Sequence, residues 1–386
     1  MKKFIPYGQQ WIDESDIIAV ESVMKSDYLT QGPVIELFEN SIKQITGAKY
    51  CVALSNATQG LYVAVAALEI SDGSEGITTP ITFVSSANCL ITNNLTPIFA
   101  DIDSKTYNIS PKEIERKITT KTRVIIPVDF AGQAVDIDAI RQIADKYHLY
   151  VIEDAAHAIG SNYADGKPVG CCHKVDMTVF SFHAVKTITS GEGGAVTTND
   201  ELLYKRLLKL RTIGITKENS ELGKNPGPWY YEMQVLAGNN RMTDMQAALG
   251  RSQLSKLTFF KQRRREIVKK YNMAFANNLN IMIPYEDNNV DSCFHLYVLQ
   301  IDFEKIGKSR KQVMEELKEK GIGTQVHYIP VNSQPYYRKK YGEYKPMDYP
   351  VSDAYYSKCL SIPLFPKMSE EDVEYVIKEI SHICNA

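Results

Sequence analysis

The chain has 386 residues, 44% of them hydrophobic, with only 16 prolines and no low-complexity stretch, which suits two or three globular domains. Lysine plus arginine number 44 against 46 aspartates and glutamates, a net charge of −2 that gives no electrostatic case for nucleic acid or a membrane surface as partner. Seven cysteines, of which only Cys171 and Cys172 are adjacent, supply neither a disulfide framework nor a zinc pattern, so no metal is expected.

The start, Met1-Lys2-Lys3-Phe4-Ile5-Pro6, carries two lysines but no apolar run, so a signal peptide is not expected. No stretch approaches the ~20 apolar residues of a membrane span. A soluble, cytoplasmic, reduced protein is expected. An amphipathic helix is predicted over Asp13 to Lys25, and a second helix from Val34. The loop Tyr28-Leu29-Thr30-Gln31-Gly32-Pro33 lies between them, marked by its Gly-Pro.

From Tyr50 the pattern alternates between strand and helix. Strands are predicted at Tyr50 to Leu54, Gly76 to Thr79, Ile98 to Ile102, Val124 to Phe130, Tyr150 to Glu153, Thr178 to Phe182 and Ala195 to Thr198. Helices are predicted at Gln59 to Leu68, Val84 to Thr92, Pro111 to Ile118 and Ile137 to Lys146. Short apolar strands between helices imply an α/β fold with a mostly parallel sheet covered on both faces.

A long helical pattern runs from Thr243 to about Phe275 and carries Lys261-Gln262-Arg263-Arg264-Arg265. That basic run reads as a solvated helix face rather than a nucleic-acid patch. A strand over Cys293 to Ile301, a helix over Ser309 to Lys320, a strand over Gly323 to Tyr328 and a helix over Glu370 to Ile383 follow. The expected division is a large α/β domain, residues 1–250, and a smaller C-terminal α+β domain, residues 251–386, reached through the long helix.

The chemistry gathers around Asp176 to Phe182, an apolar strand that breaks into Lys186 and then a turn rich in glycine. A lysine just past a buried strand stands where a low-dielectric wall lowers its pKa, so that the free amine can attack a carbonyl. Asp154 ends another apolar strand, where an unpaired carboxylate would be costly. Lysine and aspartate at two strand ends are the pairing pyridoxal phosphate needs: a Schiff base and a partner for the pyridinium nitrogen. Asp154 reads equally as a helix N-cap.

His157 could reach the ring hydroxyl or be a packed core histidine, and Phe83 could stack on the ring or be core. Ser55-Asn56-Ala57-Thr58-Gln59-Gly60-Leu61 leads a strand into a helix and reads either as a phosphate cradle or as an N-cap. Ser181 could add a hydroxyl to the phosphate or be a buried strand serine. Neither a dinucleotide fingerprint nor a P-loop occurs.

Taken together, Leu54-Ser55-Asn56-Ala57-Thr58, Glu153-Asp154-Ala155-Ala156-His157-Ala158, Ser181-Phe182-His183-Ala184-Val185-Lys186 and Gly191-Glu192-Gly193-Gly194-Ala195-Val196 resemble the DegT-type sugar-nucleotide aminotransferases. The likeness continues through Asn239-Asn240-Arg241-Met242-Thr243-Asp244 and Val326-His327-Tyr328-Ile329-Pro330 to Leu360-Ser361-Ile362-Pro363-Leu364-Phe365-Pro366, nearly the whole chain. It implies fold type I, with a seven-stranded sheet, and pyridoxal 5′-phosphate as cofactor. Lys186 would be the Schiff-base lysine, Asp154 the partner of the ring nitrogen, and His157 the neighbour of the ring hydroxyl. Phe83 would lie over the ring, with Ala57, Thr58 and Ser181 on the phosphate.

Asn239 would reach that phosphate from the second subunit of a homodimer. The chain departs from the family there, with Ala237 and Gly238 where glycine and an aromatic are usual. Tyr28, Thr30, His183, Arg241 and Tyr328 would face the sugar nucleotide.

Within the family, Ser181 to Thr189 is similar to the subgroup of the pseudaminic acid pathway. That subgroup aminates C4 of a UDP-linked 4-keto-6-deoxy-N-acetylhexose of L configuration, with L-glutamate as donor. Both prolines of the subgroup signature are replaced, by Ala184 and Thr187. A D-configured, or dTDP- or GDP-linked, keto sugar is the alternative substrate. The dehydratase branch carries histidine at the lysine position, so Lys186 speaks against it. A non-catalytic sensor would need an output module, and no helix-turn-helix precedes Tyr50.

Overall fold

The computed structural model describes residues 4–384, so Met1 to Lys3 of the expected leaderless start, and residues 385–386, lie outside the described residues. Helix α1 (Glu14–Met24) opens on a capping box in which Asp13 and Asp16 satisfy each other's backbone amides. Helix α2 (Pro33–Thr46) has proline in its first turn and closes on Gly47, whose φ of 79° fits glycine.

The alternating region then runs β1 (Tyr50–Leu54), α3 (Ala57–Ala67), β2 (Glu75–Thr78), α4 (Ser85–Thr92), β3 (Thr96–Phe99), α5 (Pro111–Lys117), β4 (Thr122–Ile126) and α6 (Ile137–Tyr147). It continues through β5 (Tyr150–Asp154), β6 (Met177–Ser181), β7 (Gly194–Thr198) and α7 (Glu201–Arg211). Helix α7 was not foreseen.

Strands β1 to β7 form one seven-stranded sheet in the order β1-β7-β6-β5-β4-β2-β3. Strands β3, β2, β4, β5 and β6 are parallel, while β7 runs antiparallel to both β6 and β1. Both faces are covered. Ile125, Val151 and Phe180 pack in one cluster with Phe38 of α2 and Ile140 of α6. Their neighbours Ile126, Ile152 and Val179 point to the other side and pack with Leu61 of α3 and Leu207 of α7. This is the fold type I architecture expected.

A short hairpin, β8 (Ile215–Thr216) and β9 (Glu232–Met233), precedes α8 (Asp244–Leu254) and α9 (Leu257–Phe275). The predicted continuous helix is therefore two. The basic run on α9 corrects a second expectation, because it is not a solvated face. Arg264 is 1% exposed and donates to the carbonyls of His295 (3.1 Å) and Leu364 (2.8 Å). Lys261 bonds Gly160 O and Asp291, and Arg265 bonds Glu286 and Ser292 O. These cations tie the helix to segments on either side of it.

Strand β10 (Ile281–Met282), β11 (Tyr297–Ile301), α10 (Arg310–Glu319), α11 (Pro335–Tyr341), α12 (Pro350–Lys358), β12 (Cys359–Ile362) and α13 (Glu370–Cys384) complete the chain. Strands β10, β11 and β12 form a three-stranded antiparallel sheet. The expected strand over Gly323 to Tyr328 is instead an irregular segment, held to Ser361 by one bridge at Gln325. Among the described residues no helix is long and apolar enough to cross a membrane.

Candidate active site

The C-terminal ends of β2, β5 and β6 and the N-terminus of α3 converge on a cavity of about 790 Å³. Ligands in open α/β sheets gather at this edge, beyond the carboxyl ends of the strands. Asp154, the last residue of β5, is 4% exposed and accepts from Ser86 Oγ at 2.6 Å and from the Ala156 amide at 3.1 Å. Thr82 Oγ1 lies 2.7 Å from Ser86 Oγ and so donates to it. Burial pushes the Asp154 carboxyl above its usual range, opposed by these hydrogen bonds and by the Lys186 charge.

Lys186 lines the same cavity, five residues beyond the end of β6. Burial lowers its pKa to about 8, and the nearby Asp154 carboxylate keeps it from falling further. An amine so poised is partly free at neutral pH and can act as a nucleophile or a base.

His157 is 5% exposed, and burial, followed by the Lys186 charge, holds it well below its usual pKa, so the ring is neutral. The Ala131 amide donates to its Nδ1 at 3.3 Å. That assigns the ring proton to Nε2, which faces the Tyr328 hydroxyl at 3.1 Å. Phe83 is 58% exposed on the cavity wall, an aromatic face with room for a planar partner.

Asn56 caps α3 by accepting from the Gln59 amide at 2.9 Å, which leaves the Ala57 and Thr58 amides of the first turn to other partners. Ser181 and the Thr58–Ser85 hydroxyl pair (2.8 Å) border that helix end. Gly194 is required beside it: a Cβ there would stand 2.6 Å from the Ala57 nitrogen.

Of the residues singled out from sequence, Ala57, Thr58, Phe83, Asp154, His157, Ser181, His183, Lys186 and Tyr328 line this one cavity. Tyr28, Thr30, Arg241 and Asn239 do not. Arg241 lines a neighbouring cleft with Gln31 and Glu39, while Tyr28, Thr30 and Asn239 are exposed. The 239–242 segment nevertheless runs beside the site, since Asn240 O accepts from the Ser55 amide and Arg241 bridges to Leu54.

Sequence reasoning missed Ser86, Thr82, Tyr7, His295 and His327, all of them in or beside the cavity wall. A serine pair opening a helix two residues after Phe83 was the available signal for Ser86. Burial holds His327 down to about 3 and His295 well below its usual value, so this part of the wall adds no positive charge.

The residues fit pyridoxal phosphate. An open aromatic face suits the ring, a buried carboxylate suits its nitrogen, a depressed lysine suits its aldehyde, and a capped helix N-terminus with hydroxyls suits its phosphate.

Among solved structures, Helicobacter pylori PseC, an aminotransferase involved in the biosynthesis of pseudaminic acid, matches with a TM-score of 0.92 at 31% identity, covering 99% of this chain and 100% of that one. The putative sugar aminotransferase Spr1654 of Streptococcus pneumoniae, in its PLP form, matches with a TM-score of 0.90 at 30% identity over 99% of both chains. Spore coat polysaccharide biosynthesis protein SpsC of Bacillus subtilis is 40% identical over 381 residues, 98% of this chain and 97% of that protein. The molecule is thus a transaminase that works with pyridoxal phosphate. The chain belongs to the DegT/DnrJ/EryC1/StrS aminotransferase family, which it matches over residues 10–381.

Proposed function

We propose that this sugar aminotransferase moves the amino group of L-glutamate to C4 of a UDP-linked 4-keto-6-deoxy-N-acetylhexose. The intended sugar is UDP-2-acetamido-2,6-dideoxy-β-L-arabino-hexos-4-ulose, on the way to a pseudaminic acid-type surface sugar. The enzyme works in the cytoplasm as a homodimer with shared active sites. The observation that carries the chemistry is Lys186 with its pKa lowered to about 8, facing buried Asp154 in one cavity. The likeness to PseC and the Ser181 to Thr189 stretch support the sugar.

Bound in this cavity, pyridoxal phosphate would supply an electron sink for proton removal at the donor's Cα. Asp154 holds the proton on the ring nitrogen. His157, oriented by the Ala131 amide, would serve the ring hydroxyl, and Phe83 would cover the ring. The Ala57 and Thr58 amides and Ser181 hold the phosphate, joined by Asn239 of the second copy. Lys186, with its amine free, would be placed to take and return the proton at Cα of the donor. Tyr328 and His183 face the sugar nucleotide from the cavity wall, with Tyr28, Thr30 and Arg241 at the subunit boundary. Residues 1–250 form the cofactor-binding part and residues 251–386 the smaller part.

The test is borohydride reduction of the protein loaded with pyridoxal phosphate, with mass mapping, followed by turnover of L- and D-configured UDP-4-keto-6-deoxy-N-acetylhexoses with glutamate. Cofactor fixed on Lys186 with turnover of the L sugar is expected. Cofactor on Lys186 with turnover of the D sugar alone would replace the substrate and keep the reaction. No cofactor on Lys186 would overturn the catalytic assignment.

A further inference from the structure

Away from the cavity, the loop between β5 and β6 brings three reactive side chains into line. Cys171 Sγ lies 2.9 Å from His173 Nδ1, and His173 Nε2 lies 2.9 Å from Asp165 Oδ2. Asp165 is held to about 2, burial being outweighed by the Lys167 amide and by Lys174 and His173. At neutral pH it is therefore a carboxylate and can only accept. The proton on the His173 ring must then sit on Nε2, which leaves the Nδ1 lone pair aimed at the Cys171 thiol.

A nucleophile, a base in the tautomer that can take its proton, and a carboxylate fixing that tautomer are the parts of a base-activated thiol. The backbone is also committed to the arrangement. Cys171 sits between Gly170 and Cys172, at φ of 89° and 52°, and Asn199 Nδ2 donates to its carbonyl at 2.8 Å. Asn199 follows the end of β7, which is antiparallel to β6, so the cluster lies at the edge of the sheet opposite the cavity.

We propose that Cys171, His173 and Asp165 form a second reactive site, a thiol that reduces small hydroperoxides and is itself oxidised to a sulfenic acid. The Cys171 side chain is only part-exposed, which selects a small oxidant over a bulky substrate. In the step, Sγ attacks one peroxide oxygen, so the S–O bond forms as the O–O bond breaks. The thiol proton passes to His173 Nδ1 and then to the departing hydroxide, which leaves as water. Sulfur gives up two electrons and the peroxide takes them. Burial holds the Cys171 thiol above its ordinary pKa, so it rests protonated and His173 acts only as sulfur attacks. The other six cysteines, Cys51, Cys89, Cys172, Cys293, Cys359 and Cys384, are all buried, whereas Cys171 is part-exposed.

The test uses the full chain loaded with pyridoxal phosphate, treated with hydrogen peroxide and dimedone at pH 7 and mapped by peptide mass. The expected result is a tag on Cys171, forming at least tenfold faster than on glutathione under the same conditions. His173→Gln, which keeps a side-chain amide toward Asp165, should slow it at least tenfold while leaving thermal unfolding and transamination unchanged. Tagging of Cys171 no faster than glutathione would overturn the proposal. So would an unchanged rate in a folded H173Q protein.

Discussion

Replacing Asp154 by asparagine should move two observables in opposite directions. In the apo protein Lys186 titrates at about 8, against 10.5 for an unperturbed lysine. A fall of ~2.5 units means that about 300-fold more of the amine is free at pH 7 than an exposed lysine would offer. Asp154 opposes that fall, because its negative charge favours the ammonium form. With D154N the charge is gone, so the Lys186 midpoint should drop below about 8. Capture of added pyridoxal phosphate at pH 7 should become faster. If Asp154 partners the ring nitrogen as proposed, turnover should nevertheless fall by about 10²-fold or more, because that nitrogen would lose the carboxylate holding its proton.

The assay is stopped-flow absorbance of cofactor capture by apo protein from pH 6 to 10, paired with steady-state transamination. For wild type the capture rate should rise about tenfold per pH unit up to about 8 and then level. A wild-type midpoint near 10, or a D154N midpoint that rises, would refute the electrostatic reasoning. Full turnover in D154N would refute the assignment of Asp154 to the ring.

Other perturbations separate cofactor binding, assembly and stability. Phe83→Ala removes a ring that is already 58% exposed, so its stability should stay within about 0.5 kcal/mol of wild type while the cofactor Kd rises about tenfold. Denaturant melts and fluorescence titration read these two numbers. Lys186→Ala and Asn239→Ala should each be inactive alone, yet mixing them through unfolding and refolding should restore about a quarter of wild-type turnover if Asn239 serves its neighbour's site. No recovery would place Asn239 in its own subunit's chemistry. Arg264→Met leaves the His295 and Leu364 carbonyls without their donor, and should cost about 2–4 kcal/mol in urea unfolding despite relieving a buried charge.

What the sequence disclosed follows a physical rule. Asp154 and Lys186 stood out because polar groups ending apolar strands are costly unless they have work to do, and that cost is local. Ser86 stayed hidden because its meaning is its 2.6 Å contact with a carboxylate 68 residues away. The basic run on α9 misled for a related reason. Three successive arginines point around most of a helix turn, and periodicity cannot tell whether protein or water meets each one. Here α9 has neighbours on more than one side, and Arg264 is driven inside where carbonyls await it. The irregular 323–328 segment looked like a strand because its residues favour one, yet only Gln325 finds a ladder partner. Asn239 and Arg241 were legible as a motif but fall outside the cavity, because a motif does not report which way its side chains face in the fold.

The place of β1 at the sheet edge has a consequence for how the protein is made. Its one neighbour in the sheet is β7, with Leu54 opposite Gly194. During synthesis β1 emerges early and must wait for roughly 140 further residues before a strand exists to pair with it. The helix end that would receive the phosphate follows β1 directly, so it is anchored only when that distant closure is made. Such long-range pairings form slowly. The helix end is therefore fixed only after Thr198, about halfway along the chain, has been made and this long-range pairing has closed, and free pyridoxal phosphate meets a receptive phosphate end no earlier than that.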